Sequence, residues 1–215
     1  HSSTELRLWF YAIYIMAQTR AGISAKQLER ELGVTYKTAW RMFNRIRKLM
    51  GDEGNMLSGE VEVDEVYFHP NPAKRTTARA HNSQVVFGMV ERKGRAVVKH
   101  VKSSGVRILS KEIQRGIDPK ATIYSDTHRS YEHLTKAGYL HLTINHSKQE
   151  YVKGVRHTQN VENLWSNIKR GITGVYRHVD PKYLQNYVDE YAFRYSHRAT
   201  PKYMFDLILS NIARN

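Results

Sequence analysis

Gly59-Glu-Val-Glu-Val-Asp-Glu-Val-Tyr-Phe68 is rich in β-branched and aromatic residues and reads as a buried strand. A carboxylate in the middle of such a strand costs free energy unless a cation or a hydrogen-bond donor satisfies it, so Asp64 needs a reason. A second acid, Asp126, ends the extended run Ala121-Thr-Ile-Tyr-Ser-Asp126. A third, Glu162, lies in the helical stretch Asn160-Val-Glu-Asn-Leu-Trp-Ser-Asn-Ile-Lys-Arg170. Two strand-borne aspartates and a helix-borne glutamate, with 35 residues between the last two, form the strongest pattern in the chain.

The pleat of the first strand puts Glu62, Asp64 and Val66 on one face and Val63, Glu65 and Tyr67 on the other. Asp64 is the candidate ligand because it sits at the middle of the strand, whereas Glu62 is nearer the exposed end. Glu65 is left to a cation or to the flanking loop. On the helix, Val161, Leu164, Trp165 and Ile168 make the stripe that packs on a sheet, with Glu162 at its border. Lys169, two turns on, emerges on nearly the same line as Glu162. Asn160 reads as the N-cap of this helix, with a lesser claim on metal or DNA. His128, His146 and His157 lie near the site and read as hydrogen-bonding histidines rather than zinc ligands.

Oxygen donors in a chain with no cysteine suit Mg²⁺ or Mn²⁺. Two such ions activate a nucleophilic oxygen and stabilise the leaving oxygen of a phosphoryl displacement. The nucleophile is water for nicking or a DNA 3′-hydroxyl for joining. Taken singly, each acid is a turn residue or part of a solvated helix face. The order of elements, the interval and the lysine seven residues on give the set its meaning.

The segment before the strand is helical. Leu6, Trp9, Phe10, Ile13, Tyr14 and Ala17 recur at helical spacing after Thr4, a candidate N-cap. Ser24 followed by Gln27 is a capping-box signature for a short helix carrying Leu28 and Leu32. Gly33 supplies a turn and Thr35 caps a second helix running to about Met50. That helix buries Ala39, Phe43, Ile46 and Leu49 and shows Tyr36, Lys37, Arg41, Asn44, Arg45 and Lys48. A short helix, a glycine turn and a basic second helix describe a helix-turn-helix. By geometry Arg41, Asn44 and Arg45 are its base readers. Residues 1–50 hold nine Lys and Arg against three Asp and Glu.

The whole chain of 215 residues carries a net charge of +14 and a pI near 9.9, which favours a polyanionic partner such as nucleic acid. DNA contacts are expected from Thr35, Tyr36, Lys37, Arg41, Asn44, Arg45, Lys48, Lys74, Arg75, Lys153, Arg156, Lys169 and Arg170. No apolar run approaches a membrane span and no signal-peptide pattern is present. The absence of cysteine is compatible with a reducing cytoplasm, and the expected location is cytoplasmic, on the nucleoid when DNA is bound. The chain opens on His-Ser-Ser, which reads as a piece whose true N-terminus lies elsewhere.

Three domain assignments follow: a helix-turn-helix over 1–50, a polar linker over 51–57, and a catalytic domain with C-terminal helices over 58–215. In the last, strands at 59–68, 84–91, 96–101, 122–125 and 140–144 are interleaved with helices at about 106–115, 128–137, 160–170, 181–196 and 201–213. The turn at Lys93-Gly94 makes the second and third strands antiparallel neighbours. Three meandering strands followed by alternating helices and strands build a mixed sheet with helices on its faces. This α/β order is that of the ribonuclease-H-like fold, in which the first and fourth strands lie side by side and bring Asp64 near Asp126.

Val61-Glu-Val-Asp-Glu-Val-Tyr67, Tyr124-Ser-Asp126, His157-Thr-Gln-Asn-Val-Glu-Asn-Leu-Trp165, Lys169-Arg-Gly171 and Asp189-Glu-Tyr-Ala-Phe-Arg-Tyr-Ser-His-Arg198 carry a family likeness. Over about residues 20–198 the chain resembles bacterial insertion-sequence transposases of the DDE class, in the group related to the eukaryotic Merlin elements. The resemblance implies Asp64, Asp126 and Glu162 as a metal-binding triad, Lys169 as phosphate-side partner, and at least a dimer on paired DNA ends. Some relatives use an asparagine in the third role, which gives Asn160 its claim. The zinc ribbon with which relatives usually begin is absent here. The resulting reading is a transposase that binds the terminal inverted repeats of its element, cuts DNA and joins it to a target. Its rivals are a metal-dependent nuclease of the same fold and a DNA-binding regulator derived from a transposase.

Overall fold

A computed structural model describes residues 3–51, 54–68, 83–126, 131, 133–144 and 157–212. Three helices come first: α1 (Leu6–Gln18), α2 (Ala25–Leu32) and α3 (Tyr36–Lys48). Helix α1 is capped at Glu5 rather than at the expected Thr4, whose hydroxyl instead accepts from Arg41 Nη2 at 2.7 Å. The caps of the next two are as read. Ser24 Oγ accepts from Gln27 N at 3.1 Å, and Thr35 Oγ1 from Thr38 N at 3.3 Å. Gly33, at φ +63°, turns the chain between them, a backbone position that glycine adopts without a Cβ penalty.

Five strands form one sheet: β1 (Glu60–Phe68), β2 (Gln84–Glu91), β3 (Ala96–Val101), β4 (Thr122–Asp126) and β5 (Leu140–Ile144). Their order is β3-β2-β1-β4-β5, with β1–β2 and β2–β3 antiparallel and β1–β4 and β4–β5 parallel. This is the expected mixed sheet of ribonuclease-H-like order, with the first and fourth strands adjacent. Helix α4 (Val106–Gly116) covers one face, where Val61, Val63, Phe87, Met89, Ile113 and Ile123 pack together. Helices α5 (Gln159–Gly171) and α6 (Leu184–Ser196) cover the other, over Val86, Val90, Val98, Leu164 and Val188. The helix expected over 128–137 is turn at 133–138; residues 127–130 and 132 lie outside the described residues.

The stretch expected as a linker over 51–57 ends inside the core. Leu57 is fully buried and pairs with Ile117, its N–H bonded to Gly116 O at 2.7 Å. A third apolar cluster joins α1, α2 and α3 to Phe193 of α6 and to Met204 and Ile208 of the last helix, α7 (Met204–Ser210). Within it Arg47 is completely buried, its Nε 2.8 Å from Glu190 Oε2. Its guanidinium carbon lies 3.7 Å from the Phe43 ring centre and 3.6 Å from that of Tyr187. Arg194 reaches the other oxygen of Glu190 at 2.8 Å and Met16 O at 2.7 Å. Burial alone would raise the Glu190 pKa, but Arg47 and Arg194 hold it below the usual carboxylate value. Side chains of α6 also meet the outer edge of β3. Gln185 accepts from His100 N at 2.7 Å and donates to Val98 O at 2.9 Å, and Ser196 Oγ accepts from Ala96 N at 3.0 Å. Among the described residues no helix is long and apolar enough to cross a membrane.

Candidate carboxylate site and its surroundings

The β1–β4 ladder pairs Glu60 with Thr122, Val61 with Ile123 and Glu62 with Tyr124. Asp64 and Asp126 each stand two residues beyond the last of these pairs, and the charge of Asp126 acts on Asp64. Parallel partners point to the same face, so both carboxylates belong to the face covered by α5. On the other side of β1, Asp64 is paired with Gly88. A Cβ at Gly88 would lie 2.7 Å from the Trp165 ring, so the missing side chain is what admits the indole. Trp165 Nε1 then donates to Asp64 Oδ2 at 2.8 Å.

Burial pushes the Asp64 carboxyl up to about 7; the charges of Glu65 and Asp126 add to the rise and the Trp165 hydrogen bond opposes it. Glu65 lies on the other face, where the buried Tyr131 hydroxyl donates to its Oε2. Burial and the carboxylates of Glu65, Asp64 and Asp126 hold that phenol well above its ordinary pKa. Glu65 therefore meets a phenol from the chain beyond β4.

Glu62 is a correction. It is not near an exposed end but completely buried, because α5 delivers its N-terminus there. Glu62 Oε2 accepts from the backbone N–H of Asn160 at 2.8 Å and of Val161 at 3.2 Å, and Oε1 from the Asn160 amide at 2.9 Å. A carboxylate at the positive end of a helix satisfies donors that have no partner within it. Arg92 completes the arrangement, with Nε 3.0 Å from Glu62 Oε1, Nη1 3.2 Å from Glu60 Oε1 and Nη2 2.9 Å from His157 O. Its guanidinium stacks 3.8 Å from the Tyr124 ring centre. His157 Nδ1 is 3.1 Å from Glu62 Oε1. Asn160 is thus not the N-cap, which is Thr158; with Glu62 capping from another strand, Asn160 already lies inside the helix.

Glu162 is exposed and Thr158 Oγ1 donates to its Oε1 at 2.9 Å. Lys169 and Arg170 are exposed in the last turn of α5. Among the described residues no three of His, Asp and Glu stand close enough together to hold a metal ion. Asp64 and Asp126 are brought together; Glu162 is not gathered with them.

On α3, Tyr36, Lys37, Arg45 and Lys48 are exposed, and so is the capping Thr35. Two other expected base readers are displaced. Asn44 is buried, its amide donating to Trp40 O at 2.9 Å, and the half-buried Arg41 is turned to Thr4. Lys74, Arg75, Lys153, Arg156, His128 and His146 lie outside the described residues.

Three features escaped the sequence reading, and two of them left a trace in it. Gly88 in the middle of an apolar strand marks a close approach, here of Trp165. Arg47 falls four residues after Phe43, on the stripe that packs inward. Arg92 left no comparable trace, since its role depends on the turn that follows β2.

Residues 56–196 match the ISXO2-like transposase domain. That is more than half of the chain, which therefore belongs to this family. It is similar to an uncharacterized protein in transposable element ISH50 of Halobacterium salinarum, 28% identical over 193 residues, covering 80% of this chain and 64% of that one. The chain thus spans less than two thirds of that relative's length. Two solved structures are more distantly similar. One is the simian T-cell lymphotropic virus intasome in complex with PP2A regulatory subunit B56 gamma: 14% identity, 86% of this chain, 65% of that chain, TM-score 0.38. The other is a pre-cleavage Mos1 transpososome: 10% identity, 98% of this chain, 81% of that chain, TM-score 0.25. Both likenesses are too distant to bear on the site.

Proposed function

We propose that the chain is the DNA-binding and catalytic part of a transposase that cleaves DNA strands and transfers them to a target. The observation that carries this reading is the placing of Asp64 and Asp126 on neighbouring parallel strands, close enough for the charge of one to act on the other, in a chain of the ISXO2-like transposase family.

The donor set fits a hard divalent ion, Mg²⁺ or Mn²⁺, because only oxygens are offered. Burial, with a smaller push from the charges of Glu65 and Asp126, raises the Asp64 pKa, and a bound cation would favour the ionised form. Asp64 and Asp126 would hold the ion, with Glu162, now bonded to Thr158, as third carboxylate. A pair of such ions supplies activation of the attacking oxygen and stabilisation of the leaving oxygen. The chain's own part is positional. Trp165 fixes one oxygen of Asp64 and covers the strand at Gly88. Glu62 and Arg92 anchor the helix that carries Glu162 and Lys169, and Lys169 receives a DNA phosphate. The exposed side of α3, with Tyr36, Lys37, Arg45 and Lys48, enters the major groove as the second helix of a helix-turn-helix.

The test is joining of a pre-nicked oligonucleotide bearing the element's end to plasmid DNA in Mg²⁺, with wild type and Asp126→Ala. Joined product that disappears in the variant supports strand transfer. Cleavage without joining points to a nuclease, and binding with neither reaction in Mg²⁺ or Mn²⁺ points to a regulator.

A further inference from the structure

Where α1 ends, the end of α5 and the end of α6 leave a cleft of about 850 Å³ between them. Arg20, Arg170, Arg194 and Arg198 line it together with Asn167 and Tyr195, and none of its lining residues is acidic. Arg194 is committed to the fold through Glu190 and Met16 O. The other three arginines are exposed. Two of them are held rather than loose. Arg170 Nη2 is 2.6 Å from Asn167 Oδ1. Arg198 Nη1 donates to Tyr195 O at 2.6 Å, and its guanidinium carbon lies 3.9 Å from the Tyr195 ring centre. Guanidinium groups braced in this way have part of their ordering already done, and their planar forks match phosphate oxygens.

We propose that this cleft grips the sugar-phosphate backbone of DNA, a contact separate from the outer face of α3 and from the carboxylate pair. The inference rests on the transposase reading and adds a place to it. Arg170 stands eight residues beyond Glu162 on one helix, a rise of about 12 Å along the axis. Duplex DNA carries one phosphate per ~3.4 Å of axis on each strand. The cleft therefore takes phosphates other than those nearest Glu162. Contacts of this kind fix position and carry no base information, so they act on every sequence alike.

The experiment measures binding of the full chain to a fluorescein-labelled 40-base-pair duplex of mixed sequence by anisotropy, from 50 to 300 mM KCl. It compares wild type, the triple variant Arg20→Gln/Arg170→Gln/Arg198→Gln, and a matched control, Arg107→Gln/Lys111→Gln/Arg115→Gln, which removes three exposed charges from α4 on the opposite face of the sheet. Each lost phosphate contact lowers the slope of log affinity against log salt by about 0.9, so the cleft variant should lose up to about 2.7 and the control much less. An unchanged slope in the cleft variant, or an equal loss in the control, overturns the proposal. If the triple variant does not fold, Arg20→Gln and Arg170→Gln are measured singly, each expected to remove about 0.9. The joining assay on wild type separates the two readings. A chain that joins DNA but keeps its salt slope on losing the arginines sinks the cleft alone. One that binds through the cleft and joins nothing sinks the transposase reading and leaves the cleft standing.

Discussion

The Trp165 indole N–H is bonded to Asp64 Oδ2 at 2.8 Å across the bare Cα of Gly88. Three elements, β1, β2 and α5, meet in that one contact, and it predicts a coupled pair of substitutions. Gly88→Ala places a methyl group 2.7 Å from the ring and should destabilise the fold by about 1–3 kcal/mol. In a Trp165→Leu background the same change should cost clearly less. Urea denaturation of the four proteins gives the coupling, and strict additivity would contradict the close approach.

Protonation of Asp64 gives a second expectation. Its pKa is raised from 3.8 to about 7 in the folded chain. Its contribution to stability is therefore complete below about pH 4 and is lost as pH rises through about 7. Asp64→Asn does not lose it. The stability difference between variant and wild type should grow from near zero at pH 4 to a plateau above pH 7, on the order of a few kcal/mol. Urea melts at four pH values decide this, and a difference independent of pH would be incompatible with it. If the carboxylate pair holds Mg²⁺, adding the ion at pH 8 should narrow the gap.

Glu62→Ala should loosen the start of α5. It removes the acceptor of Asn160 N and Val161 N and leaves Arg92 without its buried partner, with Glu60 remaining on β1. Removing one member of a buried charge pair costs about 3–5 kcal/mol. Hydrogen exchange should accelerate first at the Asn160 and Val161 amides, ahead of the middle of the helix. Uniform acceleration along α5 would argue against a cap.

Glu190→Gln should weaken the contact of α1 and α3 with α6, because Arg47 and Arg194 lose their shared carboxylate inside the protein. The loss should be about 3–5 kcal/mol at pH 7. Arg47 and Arg194 hold the Glu190 pKa below its ordinary 4.5. Its contribution is accordingly present above pH 4.5 and is lost as pH falls through the lower folded value, so wild type and variant should converge in acid. Thermal melting at pH 7 and pH 3 checks this.

Local signals made much of the fold legible. Alternation and β-branching placed the strands, the Lys93-Gly94 turn paired β2 with β3, and Ser24, Gly33 and Thr35 bounded α2 and α3 because their caps are short-range bonds. The adjacency of Asp64 and Asp126 followed from topology. Burial decided by distant partners was not legible. Glu62 looked peripheral because its satisfying groups come from α5, 98 residues further on. Asn44 and Arg41 looked like readers of DNA because helical spacing alone does not show that Trp40 O and Thr4 claim them. The sequence likewise gave no sign that α7 would pack with α1–α3 rather than on the sheet.

The Gln185 and Ser196 side chains occupy backbone groups of β3 that would otherwise be open for another strand. An open sheet edge is a template for pairing with any extended segment, including one from a neighbouring copy. Here α6 acts as a stopper on that side, so the sheet cannot lengthen past β3 by recruiting a sixth strand. Any contact between copies of the chain would therefore have to use surfaces other than this edge.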